Sequence, residues 1–283
     1  MSSRKTVAKP LVRPFIKWAG GKRQLMPELI KYVPKKYNSY YEPFIGGGAL
    51  LFELQPKKAT ISDKNEDLIK TYISVRDEID ELIELLKMYE GKNNGPDYYK
   101  IRSMDRDITI YSNMRDVEKA ARLIYLNKTC YNGLYRVNSQ GLFNTPFGNY
   151  TNPAICDEYV LRAVSNYLNG NDIEILQTDF EKTIETASKD DFVYFDPPYD
   201  SPDNTNFTGY QSGGFDREEQ KRLKNVYEKL TEGGVYCTLS NSSTDFIHDL
   251  YKNYKVKKVK CNRAINSNGN DRGAVDEVIV SNW

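Results

Sequence analysis

The sequence predicts an α/β fold built on an open sheet whose strands end in polar turns. Three stretches carry that expectation. Asp191 to Phe195 is a short apolar and aromatic run that reads as a buried central strand, and it leads into Asp196-Pro197-Pro198-Tyr199. Tyr40 to Leu50 reads as strand, glycine turn and helix start. Ala59 to Asp63 reads as a second strand ending in an acid. Open α/β sheets bind ligands at the carboxyl ends of their strands, where these stretches place their polar residues.

A chain of 283 residues has room for one large α/β domain, or one domain with an insertion. A mean hydropathy of -0.66 and the lack of a long apolar segment predict a soluble protein without a membrane span. Met1 to Pro10 is polar and basic, so no secretory signal is expected and the location is taken as cytoplasmic. Four scattered cysteines without a C-x-x-C pair fit reduced thiols. A single histidine, His248, excludes a multi-histidine metal site and argues against a histidine triad, and no metal is expected. The net charge of +1 argues against a uniformly basic nucleic-acid binder. Two basic runs still fit a local polyanion groove: Arg4 to Arg23, before the first acid at Glu28, and Lys252 to Arg263.

Taken in order, Lys17-Trp18-Ala19-Gly20-Gly21-Lys22 superficially resembles a phosphate loop. Arg23 stands where that loop needs a Ser or Thr for magnesium, so a P-loop NTPase is rejected. Gln24 to Tyr32 has helical spacing. Gly46-Gly47-Gly48 allows close backbone approach but lacks the full G-x-G-x-x-G spacing, so a dinucleotide is not supported. Asp63 sits where Rossmann-like sheets carry an acid for a ribose hydroxyl, which points to a nucleoside-bearing cofactor. From Leu68 to Asn169 the pattern changes: Glu78 to Glu90 and Val117 to Asn127 read as amphipathic helices, with Gly91 to Pro96 a loop. Tyr131 to Gly148 reads as a polar hairpin with Ser139-Gln140-Gly141 at its tip. The α/β pattern resumes with strands at Ile173 to Asp179, Val235 to Asn241, Tyr254 to Lys260 and Glu277 to Val280, and helices at Asp216 to Leu230 and Thr244 to Tyr251. Asn204 to Gly214 reads as a polar, glycine-rich loop over the site.

Asp196-Pro197-Pro198-Tyr199 combines an acceptor-only carboxylate, a proline carbonyl and an aromatic face in one stiff turn. Such a group suits a flat ring bearing an exocyclic amine. No cysteine follows a proline, which disfavours the cysteine nucleophile of cytosine-C5 chemistry.

These pieces together resemble the Dam family of adenine-N6 DNA methyltransferases, including GATC-modifying enzymes of restriction-modification systems. The resemblance rests on Phe15 to Lys22, Glu42 to Gly48, Ser62-Asp63, Tyr131-Asn132-Gly133-Leu134 and Asp196 to Tyr199, in the family's order. Phe207 to Tyr210 and Asn266 to Gly269 match it as well. It implies S-adenosylmethionine as cofactor and a Rossmann-like methyltransferase fold with a mostly parallel seven-stranded sheet. It also implies a helical target-recognition insertion, placed at 73–172, in a catalytic domain of 1–72 plus 173–283. Asp196, Pro197, Pro198 and Tyr199 match the catalytic motif. Trp18, Lys22, Phe44, Gly46, Gly48, Asp63 and Asp196 match cofactor positions, with Asp179 a candidate for the adenine edge. Lys17 matches a base contact, and Tyr135, Arg136, Asn138, Gln140 and Asn144 lie in the hairpin that would meet DNA. Gln140 departs from the guanine-reading arginine that some relatives carry at the tip. The resemblance implies base flipping of an adenine in duplex DNA within GATC, in a restriction-modification or Dam-like role. A monomer is the default expectation, and a cognate restriction endonuclease is a candidate partner in the same system. Cytosine-N4 methylation, a protein-glutamine substrate and a silent DNA-binding relic are the alternatives weighed. Lys17 to Lys22 and Tyr131 to Leu134 argue against the first, and Asp196, where glutamine methyltransferases more typically carry Asn, against the second.

Overall fold

Five strands run parallel: β1 (Tyr40–Glu42), β2 (Lys58–Asp63), β3 (Asp172–Gln177), β4 (Phe192–Phe195) and β5 (Tyr236–Ser242). β7 (Ala274–Ser281) is antiparallel, inserted between β5 and β6 (Lys255–Asn262). The seven-stranded sheet has the order β3-β2-β1-β4-β5-β7-β6 in the computed structural model, which describes residues 11–201, 214–262 and 274–283. Arg4, Lys5, Lys9, Arg263, all of the expected Asn204 to Gly214 loop except Gly214, and the Phe207 to Tyr210 and Asn266 to Gly269 motifs lie outside those residues.

From β1 the chain moves outward to β2 and β3, then returns to place β4 on the other side of β1. The strand order therefore reverses between β1 and β4, and it is outside the carboxyl ends of such a pair that open α/β sheets form their binding crevice. Glu42 and Asp196 stand at those two ends. β4 is buried throughout, as a central parallel strand must be. Phe192 and Tyr194 enter one core, Val193 and Phe195 the other, following the two-residue period of the strand.

One sheet face is covered by α10 (Arg217–Glu232) and α11 (Asp245–Leu250), which contribute Leu223, Val226, Tyr227, Leu230 and Ile247. The other face shares a continuous core with α3 (Glu66–Asp77), α4 (Ile79–Glu90), α5 (Gly95–Arg102), α7 (Asp116–Thr129) and α8 (Glu158–Asn169). α7 is the axis of this helical layer, packing on α3, α4 and α5, and Ala120, Ala121 and Ile124 are buried as the periodicity predicts. Short helices α1 (Met26–Leu29), α2 (Ala49–Leu54), α6 (Ile108–Asn113) and α9 (Phe180–Thr183) fill the connections.

Three differences from the sequence expectation have local causes. α5 begins at Gly95, inside the expected loop, because the Asn94 side chain accepts from Asp97 N and Pro96 occupies the first turn. α3 and α8 were not singled out as helices; Asn65 and Asp157 cap them, and each buries one apolar stripe. β3 ends at Gln177, so Asp179 caps α9 rather than closing the strand.

Candidate active site at the switch point

Asp196 is the first residue beyond β4, and both its carboxylate oxygens are held. Ser240, on β5, donates to Oδ1 at 2.8 Å. Lys22 Nζ lies 2.8 Å from Oδ2. The one Ser240 proton goes to the carboxylate, so the Tyr194 hydroxyl, 2.8 Å away, donates to Ser240 Oγ. Lys22 is buried; burial by itself would lower its pKa, but Asp196 reverses this and holds it above the ordinary lysine value. The ammonium lies 4.9 Å from the centre of the Tyr199 ring, whose hydroxyl donates to Glu277 Oε2 at 3.2 Å. The turn is clamped from behind. Gln220 of α10 donates to Pro198 O at 2.8 Å, and Asn241 Oδ1 accepts from Asp200 N at 3.0 Å. Asp200 is buried and pairs with Arg217 at 3.0 Å. Facing Asp196 from β1 is buried Glu42, which takes a hydrogen bond from Tyr40. Burial, with Asp196 adding to it, pushes the Glu42 carboxyl up to about 8, so at neutral pH it adds little charge to the crevice.

Next to this turn the β1 strand runs into the glycine bend. A Cβ at Gly46 would stand 2.9 Å from Trp18 Cδ1, so the indole lies directly on the bend. Gly48 has φ +68°, and a Cβ there would meet Tyr72 Oη at 2.7 Å and Phe52 at 2.8 Å. Asp63, at the end of β2, accepts from Gly46 N at 3.2 Å and Asn65 N at 3.0 Å. Burial raises its carboxyl to about 6 against those two bonds. Half-buried Phe44 stacks on Phe180 at 5.4 Å and meets Phe215 edge-on at 5.6 Å, forming an apolar wall. Beside it, burial would raise the Asp179 carboxyl, but Arg222 and Lys64 pull it well below the usual range.

The hairpin closes as its sequence predicts. Val137 pairs with Phe143, and Asn138 Oδ1 accepts from Gln140 N and Leu142 N, both at 3.0 Å, to fasten the tip. Arg136 Nε donates to Asn144 Oδ1 at 2.7 Å, and exposed Gln140 stands at the tip. Lys17 is exposed; Asn127 ties its backbone N–H at 2.8 Å and its carbonyl at 2.6 Å. Its stem crosses Gly133, where a Cβ would lie 2.6 Å from Lys17 Cδ, and its ammonium is 5.2 Å from the Tyr150 ring centre. Tyr135 differs from the expected surface contact. It is only 7% exposed, its ring stacked on Trp18 at 5.1 Å and its hydroxyl on Asp67 at 3.2 Å.

Residues 18–265 match the family described as D12 class N6 adenine-specific DNA methyltransferase. The chain belongs to that family. It is 46% identical over 273 residues to Type II methyltransferase M1.LlaDCHI of Lactococcus lactis subsp. cremoris, covering 96% of each chain. It is 42% identical over 292 residues to Type II methyltransferase M.MjaIII of Methanocaldococcus jannaschii, covering 96% of this chain and 99% of that protein. The DNA adenine methylase of Haemophilus influenzae is 35% identical over 273 residues, 95% of this chain and 93% of its own. D12 class methyltransferases are S-adenosylmethionine-dependent, and adenine is the amine substrate of the class. No helix among the described residues is long and apolar enough to cross a membrane.

The residues of this D12 class chain fit that cofactor. A glycine bend too tight for a Cβ, a half-buried carboxylate on adjacent β2 and an aromatic wall meet at the switch point. Trp18, Lys22, Phe44, Gly46, Gly48, Asp63 and Asp196 are gathered around these features. Asp179 stands beside Phe180 with its carboxylate already engaged by cations. Sequence reasoning missed Tyr194, Ser240, Gln220, Asn241 and Glu277, which support the turn. The signal for Ser240 and Asn241 was the polar end of an otherwise apolar strand. Near Lys17, burial lowers the Lys128 ammonium to about 8, with Asp157 opposing the effect and Lys17 and Arg13 adding to it.

Proposed function

We propose that the chain methylates N6 of adenine within GATC in duplex DNA, taking the target base out of the helix into the crevice beside Asp196. The observation that carries this reading is the fixed Asp196 carboxylate, held by Ser240 and Lys22 beside the Tyr199 ring at the strand reversal. S-adenosylmethionine, when bound, supplies an electrophilic methyl on its sulfonium. Trp18, the Gly46 to Gly48 bend, Asp63 and Phe44 would hold it, with Asp63 accepting from ribose hydroxyls. Asp196 and the Pro197 carbonyl would each accept one N6 hydrogen of the base. Two such bonds favour a pyramidal nitrogen with a localised lone pair, and positioning then does most of the catalytic work. Extruding the base costs roughly a few kcal/mol. Stacking on Tyr199 would return about 1–3 kcal/mol.

In this reading 1–72 plus 173–283 hold the cofactor and chemistry, and 73–172 present the hairpin at about 131–150 to the duplex. Lys17, Arg136, Asn138, Gln140 and Asn144 are the residues assigned to DNA, with Lys17 supported in place by Asn127, Gly133 and Tyr150. The enzyme acts as a monomer, one strand at a time, in a restriction-modification or Dam-like role.

The test uses labelled S-adenosylmethionine with short duplexes, one carrying GATC and others carrying single changes. Transfer confined to the GATC duplex is the expected result. Equal transfer to a changed duplex would contradict the GATC assignment and turn attention to Gln140 and its neighbours.

A further inference from the structure

Trp18 and the hairpin are joined by one side chain that neither role explains by itself. The Tyr135 ring stacks on Trp18 with centroids 5.1 Å apart and planes at 26°. Trp18 also lies on the Gly46 bend, where a Cβ would stand 2.9 Å from Cδ1. Tyr135 in turn meets Phe143 edge-on at 5.7 Å. Phe143 is pinned at both backbone groups, its N–H donating to Asp105 Oδ2 at 2.8 Å and its carbonyl accepting from Arg106 at 2.8 Å. The Tyr135 hydroxyl donates to Asp67 Oδ2 at 3.2 Å, in the first turn of α3, just after Asp63 and its partner Asn65. A cavity of about 100 Å³ is lined by Tyr135, Phe143 and Asp67 among others.

We propose that Tyr135 is the positioning residue that couples the hairpin to the cofactor wall, so that seating the duplex and seating the cofactor favour one another. The proposal rests on the reading above, in which Trp18 lines the cofactor site and the hairpin meets DNA. Its physical basis is contiguity. A shift of the hairpin on DNA would be passed to Tyr135 through its ring contact with Phe143 and its place two positions before the Val137–Phe143 pair. A displaced Tyr135 ring changes the support under Trp18 and, through Asp67, the start of α3. Coupling of this kind is reciprocal: the duplex must tighten the cofactor by the same factor as the cofactor tightens the duplex.

The experiment titrates S-adenosylhomocysteine, which has no methyl to transfer, into the protein alone and into its complex with a GATC duplex. The wild-type chain should bind it about fivefold or more tightly with the duplex present, the lower end of ordinary coupling. In Tyr135→Leu the ratio should fall to within about twofold of unity, and Tyr135→Phe, which keeps the stack and loses the Asp67 bond, should lie between. A residue of merely structural importance would weaken both ligands and leave the ratio unchanged. A wild-type ratio of one, or a Leu variant with the wild-type ratio, overturns the proposal. A second measurement does not depend on how the Tyr135 variants fold. The chain has two tryptophans, so Trp283→Phe leaves Trp18 as the sole indole. Its emission should change when duplex is added without cofactor, and no change overturns the coupling. Failure of the wild-type chain to bind either ligand would remove the functional reading itself, and the proposal with it; bound ligands without coupling remove the proposal alone.

Discussion

Asp196 works as a fixed acceptor because its neighbours leave it no freedom. Ser240 and Lys22 take one oxygen each, and Tyr194 orients Ser240. Removing the Ser240 hydroxyl leaves the carboxylate held by Lys22 alone, with Oδ1 no longer fixed. A hydrogen bond to a charged group contributes about 1.5–3 kcal/mol, so Ser240→Ala should lower kcat by roughly tenfold to a hundredfold. Steady-state kinetics check this, and cofactor affinity should change little. Asp63 gives a prediction in pH. Its carboxyl is raised to about 6, so protonation just below neutrality removes the acceptor we propose for the ribose. Binding of S-adenosylhomocysteine should be flat above that value and weaken progressively below it, while Asp63→Asn should bind more weakly with no such inflection. Calorimetry across that range decides it.

At the scale of elements, the glycine bend and the hairpin base are set by contacts a methyl group cannot share. Gly48→Ala would force a Cβ to within 2.7 Å of Tyr72 Oη at φ +68°. Overpacking of this sort costs about 1–3 kcal/mol, so the variant should melt lower and lose cofactor affinity together. Gly133→Ala acts elsewhere: at φ +65° its Cβ would meet Lys17 Cδ at 2.6 Å. It should weaken duplex binding while leaving cofactor binding near the wild-type level, as paired titrations would show. Much of this layout was legible in the sequence. Strands and their polar ends could be read because burial on both faces makes β4 an unbroken apolar run and Asp-Pro-Pro must end it. The hairpin tip was legible because Asn138 and Gly141 carry the chemistry of a tight turn. Which polar residues brace the turn was not legible, although the polar end of β5 was. Ser240, Gln220 and Glu277 lie far from Asp196 in sequence and reach it only because β5, α10 and β7 are its neighbours in the fold. Tyr135 misled for the same reason: a tyrosine in a polar hairpin reads as surface until Trp18 is brought against it.

For the whole molecule, the sheet order decides where charge is tolerated. Glu42 is buried at the reversal and raised to about 8 against an ordinary 4.5. The folded state therefore binds a proton there that the unfolded chain releases at lower pH. Its stabilising contribution is complete below the ordinary carboxylate value and is lost as pH rises toward about 8. Glu42→Gln should flatten that slope and gain on the wild-type chain at the alkaline end, read from denaturant midpoints across the window. The helical layer and the sheet share one core on the face opposite α10, and that core includes Tyr135 and Phe143 of the hairpin.

The central claim is that Asp196 presents the amine of an extruded adenine for methylation. It is tested most directly by incubating a GATC duplex with labelled S-adenosylmethionine and digesting the product to nucleosides, with Asp196→Ala beside the wild-type chain. Label should appear as N6-methyladenine alone, and the variant should give none although it still binds the duplex. Label on another nucleoside, or undiminished N6-methyladenine from the variant, would contradict the account.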